Sequence, residues 1–158
     1  MKLSLIVAMT KNQIIGKGGT IPWKIPEDMK LLKELTTGST VIMGKNTWNS
    51  IPEKFRPLPN RVNIIVSSTL GEQKGATVTK SIPEAINEAK KHNTNAFCIG
   101  GAQIYKEMLP ITDELNISWV KKEYEGDTYF PKIDFTQWKE TETQEFSEFI
   151  YKKYERKK

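Results

Sequence analysis

The chain has 158 residues and carries 24 lysines and arginines against 19 aspartates and glutamates, a formal charge of +5. That length suits one domain, spanning residues 1–158, in which folding removes roughly 70% of the unfolded surface from water and needs no covalent staple. A single cysteine, Cys98, excludes an internal disulfide, and with a single histidine, His92, it leaves too few ligands for a typical metal centre or a histidine-dependent hydrolytic triad.

Met1 to Met9 opens the chain with an apolar run, but Thr10-Lys11-Asn12 ends it too soon for a signal peptide, and the pattern reads as a buried strand from Leu3 to Met9. A helix follows over Glu27 to Leu35, just after Pro26, a residue suited to a first helical turn. Further strands are expected at Thr40 to Met43, Val62 to Ser67, Ala76 to Thr79, Ala96 to Ile99 and Leu115 to Val120, β-branched and apolar enough for central positions. Ser81-Ile-Pro-Glu84 has capping-box spacing ahead of a second helix with Ala85, Ile86 and Ala89 facing inward. A third begins after Gly100-Gly101, with Ile104, Tyr105 and Met108 as its stripe, and the tail from Trp138 to Tyr154 reads as an antiparallel hairpin at the sheet edge. The expectation is an α/β fold: a largely parallel central sheet with flanking helices and a C-terminal antiparallel hairpin. The longest irregular stretches, Thr10 to Lys24 and Pro52 to Asn60, are long enough to be functional loops.

Within the first helix Asp28 shares a face with Leu31, Leu32 and Leu35, so a carboxylate lies on the core stripe. It is either a partner for the helix dipole in the first turn or a functional acid that a ligand rich in N–H donors would satisfy. Capping is disfavoured because Ile25, three residues earlier, has no side-chain oxygen. Cys98-Ile-Gly-Gly-Ala-Gln103 places two glycines between a strand and a helix, either as a plain turn or as a close approach for a phosphate. It is not the G-x-G-x-x-G fingerprint, and Gly44-Lys45 is followed by Asn46, which breaks the Walker A pattern. Gly44-Lys-Asn-Thr47 is a second strand-to-helix junction, Arg61 can clamp a carboxylate, and Ser67-Ser68-Thr69 ends a strand with three hydroxyls. Together these put anion-friendly groups at several strand ends, where ligands of open α/β sheets bind.

Five segments, Ile21-Pro-Trp-Lys-Ile-Pro-Glu-Asp28, Val41-Ile-Met-Gly-Lys-Asn-Thr-Trp48, Pro57-Leu-Pro-Asn-Arg61, Ile99-Gly-Gly-Ala-Gln-Ile-Tyr105 and Glu125-Gly-Asp-Thr-Tyr-Phe-Pro131, resemble the successive signatures of dihydrofolate reductases. They stand in the family's order and spacing over nearly the whole chain. The resemblance implies hydride transfer from NADPH to C6 of dihydrofolate, with N5 protonated from water, and binding of diaminopyrimidine antifolates.

By the same matching, Asp28 binds the pterin N3 and 2-amino group, and Ser118 bridges to it through water. Trp23 joins these two as the catalytic set. Ile6, Val7, Met29, Leu32, Ile51 and Ile99 line the pterin and benzoyl pocket, and Arg61 clamps the glutamate α-carboxylate. For NADPH the resemblance implies Ala8, Ile15, Gly16, Gly44, Asn46, Thr47, Gly100, Gly101, Ala102, Gln103, Ile104 and Tyr105, with Lys45, Ser67 and Ser68 at the adenosine 2′-phosphate. The Ile15 to Thr20 loop closes over the nicotinamide and Asp127 holds it, while the Gly100-Gly101 peptide is expected to be cis. No metal is implied. A cytoplasmic monomer is the family default, without nucleic acid or membrane.

Three departures stand out. Gln103 and Lys45 occupy positions where arginine is frequent, which lowers the bidentate capacity near the 2′-phosphate. Gly18-Gly19 gives the active-site loop extra freedom. The segment after Trp138 is short, which truncates the last hairpin. The rival readings are a reductase of the same fold acting on another pterin-like or pyrimidine substrate, and a basic nucleic-acid-binding module suggested by Trp23, Trp48 and Tyr105.

Overall fold

The structure is a computed structural model that describes residues 1–158. In chain order the elements are β1 (Leu3–Thr10), β2 (Ile14–Gly16), α1 (Pro26–Thr36), β3 (Thr40–Gly44), α2 (Lys45–Ser50), β4 (Val62–Val66), β5 (Ala76–Thr79), α3 (Ile82–Lys90), β6 (Ala96–Cys98), α4 (Ala102–Met108), β7 (Glu114–Val120), β8 (Thr128–Tyr129), β9 (Trp138–Glu145) and β10 (Phe149–Arg156). Eight strands form one sheet in the order β5-β4-β3-β6-β1-β7-β10-β9. All pairs from β5 to β7 are parallel, and β10 joins β7 and β9 antiparallel. The expected architecture is therefore present.

Two layers of side chains cover this sheet. Leu5, Val7, Met9, Ile42, Ile64, Cys98, Leu115 and Ile117 pack with Ile82, Ala85, Ile104 and Met108 of α3 and α4. On the other face Ala8 and, from α1, Leu31 and Leu35 pack against the cluster of Trp23, Val120, Phe149 and Tyr151, while Val41, Met43 and Ile65 meet Trp48 of α2. The period of two along each strand sorts these sets, because successive side chains point to opposite faces. Asn116 and Ser118 are both buried, two residues apart on β7. They therefore share the α1 face of the sheet.

Helix boundaries follow local chemistry. Ser81 Oγ accepts the Glu84 N–H at 3.3 Å, and Glu84 Oε2 accepts from Lys80 N at 3.1 Å, so the capping box closes one residue earlier than the ideal pattern. Ile25 caps α1 without any side-chain hydrogen bond, and Glu27 and Asp28 occupy its first turn.

The stretch Thr10 to Lys24 is not wholly irregular. β2 pairs antiparallel with β8, and Lys17 and Thr20 exchange backbone hydrogen bonds of 2.7 and 3.1 Å around Gly18 and Gly19. Both glycines have positive φ, +58° and +80°, the combination required by a type I′ hairpin turn. The glycine pair thus serves a defined turn as well as lending freedom. The tail is the expected hairpin, with eight residues in each strand and a bulge between Lys153 and Tyr154. The connection between the two strands is Phe146 to Glu148.

Candidate active site

β1 and β7 pair in parallel with Ala8 opposite Ser118, and α1 lies over that face. Its Asp28 is half-buried, and the carboxyl is pushed above the ordinary carboxylate range, first by burial, with the neighbouring Ser118 hydroxyl pulling partly back. No lysine or arginine offsets the charge. The anomaly seen in the apolar stripe is thus real: a carboxylate held where its ionised form is costly unless a donor-rich group joins it.

Arg61 marks the other end of α1. Its Nε donates to the Pro59 carbonyl at 2.9 Å and its Nη1 to Thr36 Oγ1 at 3.1 Å. Thr36 is fully buried and donates to the Leu32 carbonyl at 2.7 Å. Eight residues separate Asp28 from Thr36, about 12 Å along the helix axis. A carboxylate and a braced guanidinium therefore stand at opposite ends of one helix, with Leu32 between them. Sequence reasoning found Arg61 but missed Thr36, which looks like an ordinary helix end until the tertiary contact is known.

The apolar candidates divide. Ile51 and Ile99 pack beside Val41, Met43 and Trp48 on the α1 and α2 face. Met29 is 61% exposed and stands at an open rim. The Val7 side chain belongs to the core under α3 and α4, opposite the face that carries Asp28, because it is adjacent to Ile6 and cannot point the same way. Only its backbone remains on offer to a ligand there. Tyr105 also differs from a surface cofactor contact. It is buried, donates through Oη to the Ile6 carbonyl at 2.8 Å, and places its ring 3.1 Å from where a Gly100 Cβ would be.

The two strand-to-helix junctions meet. Gly44 N donates to the Gly100 carbonyl at 2.8 Å, and the Gly100-Gly101 peptide is cis, as expected. Gly44 caps α2 and Gly101 caps α4, neither with a side chain, so first-turn N–H groups of both helices are left for another acceptor. A Cβ at Gly44 would lie 3.0 Å from Ile104, which keeps this turn free of side chains. Thr47 Oγ1 is 3.7 Å from where a Gly101 Cβ would be. Nearby, Lys45 Nζ donates to Thr69 Oγ1 at 3.2 Å, and Ser67 Oγ accepts the amides of Thr69 and Leu70. Asn46, Ser68 and Gln103 are exposed.

Trp23 is buried with Ile25, Val120, Phe149 and Tyr151, its ring 5.3 Å from that of Tyr124. Ile15 packs against the main core, and Gly16 pairs with Thr128. Asp127 holds the loop from two sides: its Oδ2 accepts from Gly18 N at 3.0 Å, and its own N–H donates to the Gly16 carbonyl at 3.1 Å.

A parallel sheet with uncapped helix starts, a lysine and hydroxyls at its strand ends, and a half-buried acid in the first turn of the neighbouring α1 is the arrangement of an α/β enzyme whose strand ends suit a phosphorylated ligand. The comparisons with known proteins narrow this class. The family model for dihydrofolate reductase matches residues 2–156. The chain is 41% identical over 145 residues to the dihydrofolate reductase of Neisseria meningitidis serogroup A, covering 92% of this chain and 88% of that protein. It is 40% identical over 138 residues to the Bacillus subtilis enzyme, covering 87% and 80%. Among solved structures, dihydrofolate reductase from Enterococcus faecalis complexed with NADP(H) and RAB-propyl superimposes with a TM-score of 0.88 at 32% identity, covering 99% of this chain and 97% of that one. The chain belongs to the dihydrofolate reductase family.

Proposed function

We propose that the chain reduces 7,8-dihydrofolate to tetrahydrofolate with NADPH, and that Asp28, Ser118 and Arg61 hold the substrate while the β3–α2 and β6–α4 turns hold the cofactor. The observation that carries this reading is the pair of groups at the two ends of α1, the unneutralised Asp28 carboxylate in its first turn and the Arg61 guanidinium, from the loop before β4, braced against Thr36 of its last turn. A dihydropterin offers paired N–H donors at one end and a glutamate carboxylate at the other.

In this reading Asp28 accepts from the pterin N3 and 2-amino group, and Ser118 orients the carboxylate. Its negative charge, poorly solvated under α1, favours a proton on the pterin, and water supplies that proton at N5. Arg61, already fixed by Pro59 and Thr36, meets the α-carboxylate with little ordering left to do. Ile6, Leu32, Ile51 and Ile99 exclude water from the ring between them, with Met29 at the rim.

The residues present fit a phosphorylated dinucleotide. Uncapped helix starts beside the Gly100-Gly101 turn suit a pyrophosphate, and Lys45 with Ser67 and Ser68 suits a 2′-phosphate, which favours NADPH over NADH. When bound, NADPH supplies the hydride. Gly16, Trp23 and the loop to Thr20 shield that face from water, and Asp127 anchors them. Tyr105 keeps the Ile6 carbonyl and the glycine turn in register. The reading extends to a single-domain cytoplasmic monomer that binds diaminopyrimidines at Asp28; no helix is long and apolar enough to cross a membrane.

The test is the decay of NADPH absorbance by purified protein. It should require dihydrofolate, run more slowly with NADH, and stop on adding a diaminopyrimidine. Folded protein that leaves both substrates unchanged would redirect the assignment to a related pterin-like or pyrimidine substrate.

A further inference from the structure

On the sheet face opposite Asp28, beyond the cover of α3 and α4, the strands β7 and β10 leave a groove of about 520 Å³. Its floor is Trp119, Ile150 and Tyr154, and one wall is Phe135, which is 38% exposed. The Phe135 ring bridges the other two aromatics, 6.1 Å from Trp119 and 5.4 Å from Tyr154. The size is that of a small-molecule site, and the lining is mainly apolar with few polar groups, as such sites require.

Those polar groups share one character. Lys11, Lys121 and Lys152 rim the groove, and no carboxylate lines it. Lys121 and Lys152 each pair with one glutamate of β9, Glu145 at 3.1 Å and Glu140 at 2.9 Å, while Lys11 forms no ion pair. The Trp119 indole N–H is spent on Tyr154 Oη at 3.1 Å, and the Tyr154 hydroxyl proton has no acceptor in the protein. The aromatic floor thus has beside it one ammonium without an ion pair, Lys11, and one hydroxyl proton without an acceptor, Tyr154, while the other two lysines are matched by Glu145 and Glu140 of β9.

We infer that this groove is a second binding site, separate from the active site, for a flat aromatic ring bearing an anionic group. The ring stacks among Trp119, Phe135 and Tyr154, and the anion takes the Lys11 ammonium and the Tyr154 hydroxyl. Naming the class as an aromatic anion follows from the two free donors: a neutral ring would leave Lys11 and the hydroxyl unmatched, and a cation would face the uncompensated Lys11 ammonium.

The probe is 2-naphthoate, titrated into protein saturated with NADPH and folate so that the active site is closed to it, and followed by amide and indole NMR shifts. Expected shifts concentrate on Trp119 Nε1–H and on the backbone of Phe135, Ile150 and Tyr154. Phe135→Ala should weaken binding about ten-fold and Lys11→Gln about three-fold. Both side chains are exposed, so the variants should fold as the parent does. 2-Naphthalenemethanol, the neutral analogue, should bind more weakly than the carboxylate. Absence of shifts in this groove, or equal affinity of parent and both variants, would overturn the site, and equal binding of the neutral analogue would overturn its anionic character.

Discussion

Arg61 and Thr36 meet across 3.1 Å, the guanidinium donating to a buried hydroxyl that itself donates a hydrogen bond to the Leu32 carbonyl. The contact ties the loop before β4 to the last turn of α1, so the position of Arg61 is set by the helix that also carries Asp28. Removing Thr36 Oγ1 leaves the arginine charged but less constrained. Thr36→Val should raise the KM for dihydrofolate about five-fold, the worth of one hydrogen bond of ~1 kcal/mol, with kcat nearly unchanged. Thr36→Ser should restore the parent value, and Arg61→Leu should cost ~2–4 kcal/mol of folate affinity. A parent-like KM in Thr36→Val would remove it from positioning.

Asp28 carries a cost in the unliganded fold. Burial raises its folded pKa above the unfolded one, so the native state binds the proton more tightly. This contribution to stability is fully present below the ordinary carboxylate range and is lost as pH rises through the raised value. Thermal unfolding should therefore show Asp28→Asn melting above the parent at neutral pH, with the gap closing in acid. A variant less stable than the parent at neutral pH would contradict the burial cost.

Asp127 has the opposite sign. The Gly18 amide, then the Thr128 hydroxyl, hold its carboxyl below the usual range. Its grip on the loop is present above that range and fades as pH falls through the lowered value. Hydrogen exchange should find the Gly18 amide protected relative to its intrinsic rate at neutral pH and without that protection both in acid below the lowered value and in Asp127→Ala, with a lower kcat in that variant. Equal exchange in parent and variant would show that the loop is held elsewhere.

Gly126 is required by space alone. A Cβ there would meet Ile14 Cγ2 and lie 2.5 Å from the Gly16 carbonyl oxygen, so β2 would have to move. Gly126→Ala should lose ~1–3 kcal/mol of stability by overpacking and about a hundred-fold in kcat through displacement of the loop. Parent-like turnover would mean that the loop tolerates the shift.

Much of this was legible in the sequence because it breaks or keeps a period. Asp28 interrupts an apolar stripe, and the central strands read as continuous apolar runs. The same period of two settles which of two strand neighbours turns its side chain toward α1, Ile6 and not Val7, whose side chain packs under α3 and α4. β2 and β8, of three and two residues, are too short to carry a period and exist through pairing with each other. Thr36 and Gly126 act through contacts with residues 25 and 112 positions away, Arg61 and Ile14, which no local pattern encodes.

Single-turnover hydride transfer from NADPH to dihydrofolate at neutral pH reads out what the Asp28 carboxylate contributes to the chemistry. Asp28→Asn, nearly isosteric, should retain cofactor binding and the fold while slowing the transfer by ~10²-fold or more. Transfer at the parent rate by the folded variant would mean that the Asp28 carboxylate is not needed for hydride transfer.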